Sequence, residues 1–265
     1  MKKPTEARPA SLRGAPAWLL IGTLALTLGC WASVAAWGRL PAFMLPSPSA
    51  VGQRLIATLA DGSLARHTWV TLQEVIAGLG LGLSAAVGLG YLLAKSRTVE
   101  RLLAPYIVAS QSIPIVAIAP LLIIWFGPGR LSKVLICALI VFFPVLVNTI
   151  VGVRSVPEDL RELMRSLRAT RWQTFAMLEA PAAMPVLLGG LKIGATLSVI
   201  GAVVGEFVGA DEGLGFLVNV GRGLYDTALV FVAVLVLILL ALSLYGLVAG
   251  LERRLLVWRE APAGS

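Results

Sequence analysis

The stretch LSKVLICALIVFFPVLVNTIVGV, residues 131–153, holds one charged side chain, Lys133, and one proline, Pro144. As a helix it is about 35 Å long at about 1.5 Å per residue, enough for the roughly 30 Å hydrocarbon layer of a bilayer. It is followed by RSVPEDLRELMRSLRATRWQTFAMLEAPAAM, residues 154–184, in which Arg, Glu and Asp recur throughout. An apolar span joined to a long charged loop marks a chain that lives in a membrane. Composition agrees: 58% of the 265 residues are apolar and 14% charged, against about 45–50% and 25% in soluble domains. A secreted domain and a large cytosolic enzyme are excluded.

Working outward, apolar runs predict further helices at about 15–38, 67–94, 102–126, 185–208 and 227–251, besides 131–153. The expected fold is an all-α membrane protein of about six transmembrane helices. It forms one domain over 15–254, with tails at 1–14 and 255–265. Pro105, Pro114 and Pro120 each remove an amide donor from the third run, so it is predicted to kink or unwind where protein or water can compensate. Before the second run, Leu45-Pro46-Ser47-Pro48-Ser49 predicts a turn with Ser49 as N-cap. Val51, Leu55, Ile56 and Leu59 then share one face of a short amphipathic helix at the interface.

The net charge of +8 calls for no nucleic acid, because the basic residues sit between apolar blocks. Fifteen fall in alternate segments: Lys2, Lys3, Arg8, Arg13, Lys95, Arg97, Arg101, Arg154, Arg161, Arg165, Arg168, Arg171, Arg253, Arg254 and Arg259. Six fall in the others, namely Arg39, Arg54, Arg66, Arg130, Lys133 and Arg222, while Lys192 lies within a helix. The positive-inside rule then predicts both termini in the cytoplasm. Small residues recur four apart at Gly78, Gly82, Ala86 and Gly90, and at Gly190, Gly194, Ser198 and Ala202. Such stripes serve packing within one subunit or a contact between subunits, and both readings stay open.

No phosphate-binding G-x-x-x-x-G-K-[ST] run is present, Cys30 and Cys137 each fall in an apolar block, and His67 is the sole histidine. Nucleotide binding, metal chemistry and a histidine-based triad are therefore not expected of this chain. Ionisable residues inside apolar runs are functional suspects, and here they are Glu74, Lys192 and Glu206. Lys192 and Glu206 lie on nearly the same helix face but about 21 Å apart along the axis. They read as two ends of a polar pathway, or as a snorkelling lysine and a glutamate packed near the surface. In the charged loop, Leu160, Leu163, Met164 and Leu167 follow i, i+3, i+4, i+7 spacing, with Arg161, Arg165 and Arg168 off that face. A shorter helical piece follows around Trp172 to Leu178, closed by Pro181 and Pro185. This amphipathic segment suits either an anionic lipid surface or a groove in a cytosolic partner.

Glu162 to Ala169, with Trp172, Phe175 and Pro181-Ala182-Ala183-Met184-Pro185, resembles the EAA loop of permease subunits of bacterial ABC importers. Leu163 and Met164 replace the family's two alanines, Arg168 stands where it usually has Gly, and Glu179-Ala180 precede Pro181 where an apolar residue and Leu are usual. The resemblance narrows to the nitrate, sulfonate and taurine permeases. It does so through Leu45-Pro46-Ser47-Pro48, His67 with Thr71, Ile113-Pro114 with Pro120, Trp125-Phe126-Gly127, Phe142-Phe143-Pro144, Asn148-Thr149, Gly190-Leu191-Lys192, Glu206 and Gly213-Leu214-Gly215. Glu74 departs from it, standing where a basic residue is common.

The resemblance implies a type I ABC importer permease-like fold with an amphipathic outer helix and a cytoplasmic coupling-helix loop, in the bacterial cytoplasmic membrane. It implies a homodimer served by cytosolic ABC ATPase subunits and by a periplasmic or surface-anchored solute-binding protein. ATP and Mg would be bound by the ATPase, with no cofactor in this chain. Coupling falls to Leu160, Glu162, Leu163, Met164, Leu167, Arg168, Ala169, Trp172, Phe175 and Pro181, and the translocation path to Pro114, Pro120, Lys192 and Glu206. The cargo expected is a small solute, first an anion such as sulfonate, taurine or nitrate, which Lys192 would suit. A thiamine precursor or riboflavin is the alternative. The rivals are a secondary transporter driven by an ion gradient, which wants more midplane carboxylates, and a non-transporting scaffold.

Overall fold

A computed structural model describes residues 17–37, 41 and 43–257. Among them the chain is helical with no strand: α1 (Ala17–Trp37), α2 (Pro48–Ala60), α3 (Ser63–Lys95), α4 (Arg97–Gln111), α5 (Ile115–Phe126) and α6 (Arg130–Arg154). There follow α7 (Glu158–Ser166), α8 (Arg171–Thr174), a π-helical turn (Phe175–Glu179), α9 (Ala180–Gly209), α10 (Leu214–Gly223) and α11 (Thr227–Leu255). Four stretches are long and apolar enough to cross a membrane: α3, α6, the continuous run Arg171–Gly209, and α11. Those four answer to four of the six expected crossings, and the bent pair α4–α5, taken as one span, to a fifth. The first expected run corresponds to α1, whose described side chains are largely exposed; its margins at Ala15, Pro16 and Gly38 lie outside the described residues, as do the tails 1–14 and 258–265.

Packing follows the small residues. Helices α3, α6 and α9 pack on one another, and α11 closes over α9. Each contact is set by backbone proximity: a Cβ on Gly82 would stand 2.6 Å from the Ala138 carbonyl oxygen, and one on Gly201 would stand 2.7 Å from Cys137 Cα. These stripes hold helices of a single subunit together, in a medium that gives apolar surfaces little reason to associate. Val75, Cys137, Ala195, Val199 and Ala202 are buried in the resulting core.

One local expectation becomes specific and two change. The run 102–126 unwinds into two helices, α4 and α5, bent by 91° at Ser112-Ile113-Pro114. The break falls there, and not at Pro105 or Pro120, which both sit inside helices. Hydroxyls close to the break serve the last turns of α4: Ser110 Oγ donates to the Tyr106 carbonyl at 2.7 Å and Ser112 Oγ to that of Val108 at 3.2 Å. The N-cap of α2 is Ser47, whose Oγ accepts from Ala50 N at 3.2 Å. That leaves Pro48 at the first turn, where its missing N–H costs nothing, and makes Ser49 a helix residue. Finally, the run expected to start at 185 begins at Arg171, because Pro181 and Pro185 do not end a helix. The π turn before Pro181 shifts the bonding by one residue, Ala180 N donating to the Phe175 carbonyl, so the chain enters α9 without a break.

α2 lies across one end of the bundle, against α11 and α3. Val51 is buried with Leu64, Leu217 and Val232, and Leu55 packs on them. Ile56 and Leu59 remain exposed, so the apolar face is wider than the contact it makes.

Candidate functional site

One end of the bundle carries α7 and α8. Arg154, last in α6, donates to the carbonyls of Leu93 and Ala94 at the end of α3, at 3.3 and 3.4 Å, and pairs with Glu100 of α4 at 2.6 Å. Pro157 then opens α7, with Glu158 and Asp159 in its first turn and Arg165 in its last, both favourable to the helix dipole. Arg161 Nη2 donates to the Val153 carbonyl at 2.8 Å. The arginine side of α7 thus reaches back to the bundle, while the apolar stripe does not. Leu160, Leu163 and Leu167 are 42%, 52% and 68% exposed. Glu162 is exposed as well, and Met164 is half-buried.

The turn after α7 depends on Arg168. Ala169 N donates to the Met164 carbonyl at 2.9 Å and Arg168 N to that of Arg165 at 2.9 Å. This pair of bonds defines a Schellman ending, with Arg168 in the left-handed position that Gly normally takes. Arg168 adopts φ 50°, so the turn forms without glycine at a steric cost. Thr170 then caps α8, its Oγ1 accepting from Gln173 N at 3.2 Å while Gln173 Oε1 accepts from Thr170 N at 2.8 Å. Trp172 is exposed, and its ring lies 5.5 Å from that of Phe175. Pro181 is half-buried in the first turn of α9.

In the sequence Glu179 reads only as a departure from the family pattern. It is buried, accepts from the Tyr91 hydroxyl at 3.0 Å and pairs with Lys95. Both partners lie on α3, so the glutamate ties the start of α9 to the end of α3. With Arg154 it forms the ionic clamp behind α7 and α8, a feature no local spacing announces.

At the opposite end stands a buried polar cluster. Glu206 on α9 accepts from Thr71 Oγ1 at 2.6 Å and from Gly215 N. Thr71 Oγ1 accepts from Leu214 N at 2.8 Å, and His67 Nδ1 from Gly213 N at 3.0 Å. The first turn of α10 is thereby docked on α3 and α9. Gly213, at φ 117°, has no room for a side chain between its backbone and the Glu206 carboxylate. Next to Glu206, Glu74 lies 3.3 Å from Lys133 Nζ, both almost wholly buried. Glu74, the sequence departure, therefore has its cation on α6. Lys133 is a buried residue of α6 and does not belong with the outer-loop basic residues.

The two path candidates on α9 are separated. Lys192 pairs with Glu252 of α11 and lies 6.0 Å from the centre of the Tyr245 ring, so each charge is answered by its own neighbours. Pro114 and Pro120 are exposed, Pro114 at the α4–α5 break. A cavity of about 400 Å³ opens at that break, lined by Ser110, Gln111, Ile113, Ile115, Phe143, Pro144, Val147 and Asn148. Its wall offers hydroxyl and amide groups on an apolar surface, with no ionised residue. Asn148 Nδ2 donates to the Pro144 carbonyl at 2.8 Å, leaving its oxygen as an acceptor. Sequence reading did not assign Ser110, Gln111 and Asn148 to a site; uncharged polar residues at the level of a proline break were the available signal.

The family model described as "Binding-protein-dependent transport system inner membrane component" matches residues 78–257. The chain is 49% identical to the riboflavin transport system permease protein RibX of Chloroflexus aurantiacus, over 93% of this chain and 92% of that one. It is 38% identical to the formylaminopyrimidine transport permease protein ThiX of Halalkalibacterium halodurans, over 82% and 87%. To the taurine transport system permease protein TauC of Escherichia coli it is 32% identical, over 91% and 89%. Among solved structures, the MetNI methionine ABC transporter in an inward-facing conformation matches with a TM-score of 0.65 at 20% identity, covering 73% of this chain and 96% of that chain. That last likeness is one of fold.

Proposed function

The chain belongs to the family of binding-protein-dependent transport system inner membrane components, and from that premise we propose how this ABC importer permease couples, faces and selects. Membership implies an ATPase and a solute-binding protein as partners. The α7–α8 end docks the ATPase, and the chain works as a homodimer with no catalytic site of its own. Its domain spans 15–254, with both termini in the cytoplasm. Leu160, Leu163 and Leu167 carry the docking reading: they are apolar, exposed, and turned away from their own bundle, and an unpartnered stripe at i, i+3, i+7 is what a groove in another protein accepts. Glu162, Met164, Arg168, Ala169, Trp172, Phe175 and Pro181 shape or flank that surface.

For the cargo, the cavity at the α4–α5 break favours an uncharged nitrogen heterocycle over a sulfonate or nitrate. Its wall presents no cation, and Lys192, the residue that argued for an anion, is neutralised by Glu252. The relatives named for riboflavin and formylaminopyrimidine stand at higher identity than the one named for taurine. Pro114 lines the path through its neighbours, Pro120 follows six residues on, and Lys192 and Glu206 act as ties between helices.

The test is uptake into proteoliposomes holding the permease with its ATPase and binding protein. Riboflavin or formylaminopyrimidine should enter only with ATP on the ATPase side, and taurine should not compete. Uptake of taurine alone would overturn the cargo assignment. Uptake by the permease without the ATPase, driven by a proton or sodium gradient, would overturn the coupling.

A further inference from the structure

Two adjoining cavities lie between the Lys95 end of α3 and the α7–α8 segment. The first, about 760 Å³, is walled chiefly by apolar side chains, among them Val87, Leu92, Trp172, Phe175, Met184 and Leu187. That size falls in the range of about 300–1,000 Å³ of small-molecule sites. The second, about 640 Å³, is lined by Lys95, Arg161, Arg165 and Arg171 against one carboxylate, Glu179. Tyr91, Leu92, Arg171 and Glu179 belong to both walls, so the two spaces adjoin along a shared wall.

The charge in the second cavity is unbalanced. Glu179 is engaged by Lys95 and Tyr91, which leaves three guanidinium groups without a carboxylate in that wall. Arg165 reaches Glu158 outside it at 3.2 Å, in an exposed pair of the kind that contributes little. Arg161 is the telling residue, because its Nε is buried without a hydrogen-bond partner while Nη2 is held by the Val153 carbonyl. A buried donor left unmet is destabilising, so a ligand acceptor placed there would be favoured.

We propose that the two cavities together hold one anionic phospholipid, its acyl chain in the apolar cavity and its phosphate on Arg161, Arg165 and Arg171. A soluble anion would leave the apolar half empty, and a zwitterionic lipid would return a positive group to a site already rich in them. Guanidinium forks match phosphate oxygens in geometry and charge. Basic pockets at the cytoplasmic ends of membrane helices bind lipid head groups in this way. The inference rests on the reading that this end faces the cytoplasm. A lipid seated there touches both α3 and the α8 segment, so bilayer composition becomes a determinant of how the docking surface is held.

The experiment uses the assembled importer in nanodiscs of phosphatidylcholine carrying a minor share of brominated phosphatidylglycerol or, in parallel, brominated phosphatidylcholine. Quenching of Trp172, isolated by difference from Trp172→Phe, reports occupancy of the apolar cavity. Phosphatidylglycerol should quench in clear preference, and Arg161→Gln or Arg171→Gln should each reduce that preference about fivefold. Gly88→Leu should abolish quenching by both lipids, since Gly88 lines the apolar cavity and a Cβ there meets no neighbour within 4 Å. Equal quenching by the two lipids, or an unchanged preference in the exposed Arg171→Gln variant, would overturn the proposal. So would relief of quenching by riboflavin, which would assign the cavity to the cargo. The measurement needs neither ATP nor transport, so its failure is separate from failure of the uptake assay.

Discussion

Arg168 shows how a single position can resist its surroundings and still hold. The two bonds of the turn, from Ala169 N and Arg168 N, are made, and what they cost is a side chain at φ 50°. A left-handed conformation is disfavoured for a residue with a Cβ by about 1–2 kcal/mol, and glycine's extra freedom when unfolded returns part of that. Arg168→Gly should therefore raise thermal stability by about 0.5–1 kcal/mol, read as a higher midpoint in a detergent melt of the purified permease. An unchanged or lower midpoint would mean that the guanidinium makes up the difference through contacts of its own. Glu74 and Lys133 illustrate the opposite case. Each alone is a buried charge that lipid and protein disfavour, and together they form a tie between α3 and α6 whose worth lies mainly in the penalty of leaving either one unpaired.

Elements in this bundle are set by where backbones can approach. Gly82 and Gly80 sit two residues apart on α3, yet a Cβ on Gly82 would stand 2.6 Å from the Ala138 carbonyl while one on Gly80 meets nothing within 4 Å. Gly82→Val should force α3 from α6 and remove most of the folded monodisperse protein recovered in size exclusion. Gly80→Val should leave that profile unchanged. If both behave alike, the contact between α3 and α6 is not what the small residues secure. The spacing of Gly78, Gly82, Ala86 and Gly90 was legible because close packing in lipid needs small residues at that period. The amphipathic period of Leu160, Leu163, Met164 and Leu167 was legible too. Where that face points was not, because periodicity locates a stripe on its own helix and says nothing of the neighbours. The same limit hid Lys133 from Glu74 and Lys95 from Glu179, pairs formed by residues far apart in the chain. A lone carboxylate in a membrane run demands a cation somewhere, but only packing says which. The continuation through Pro181 escaped for a different reason: a π turn is a bonding pattern, with no residue type that marks it.

Across the whole molecule, polar side chains concentrate at two ends joined by a core of apolar and small residues. At one end Glu206, Thr71 and His67 fasten the α10 turn to the bundle; at the other, Arg154 with Glu100 and Glu179 with Lys95 fasten the helices behind α7. The clamps leave α7 projecting with Arg161 turned inward and its leucines outward, and α8 runs without a break through the π turn into α9. Motion imposed on α7–α8 would therefore be delivered to the length of α9, the helix that also contacts α5 and α6 beside the cavity at the α4–α5 break. On this reading the docking surface and the fold are separable. Leu163→Asp with Leu167→Asp alters two exposed side chains, which substitutions away from structural features usually tolerate within about 0.5 kcal/mol. It also places two carboxylates in a contact that excludes water when a partner docks. The double variant should reach the membrane in ordinary amount and melt at the ordinary temperature. It should nonetheless lose co-purification of the ATPase by tenfold or more, the loss about 1.4 kcal/mol would give, and lose ATP-driven uptake with it. A variant that retained the ATPase would show that these leucines face lipid or solvent in the assembled importer, and coupling would then have to run through Trp172 and Phe175 alone.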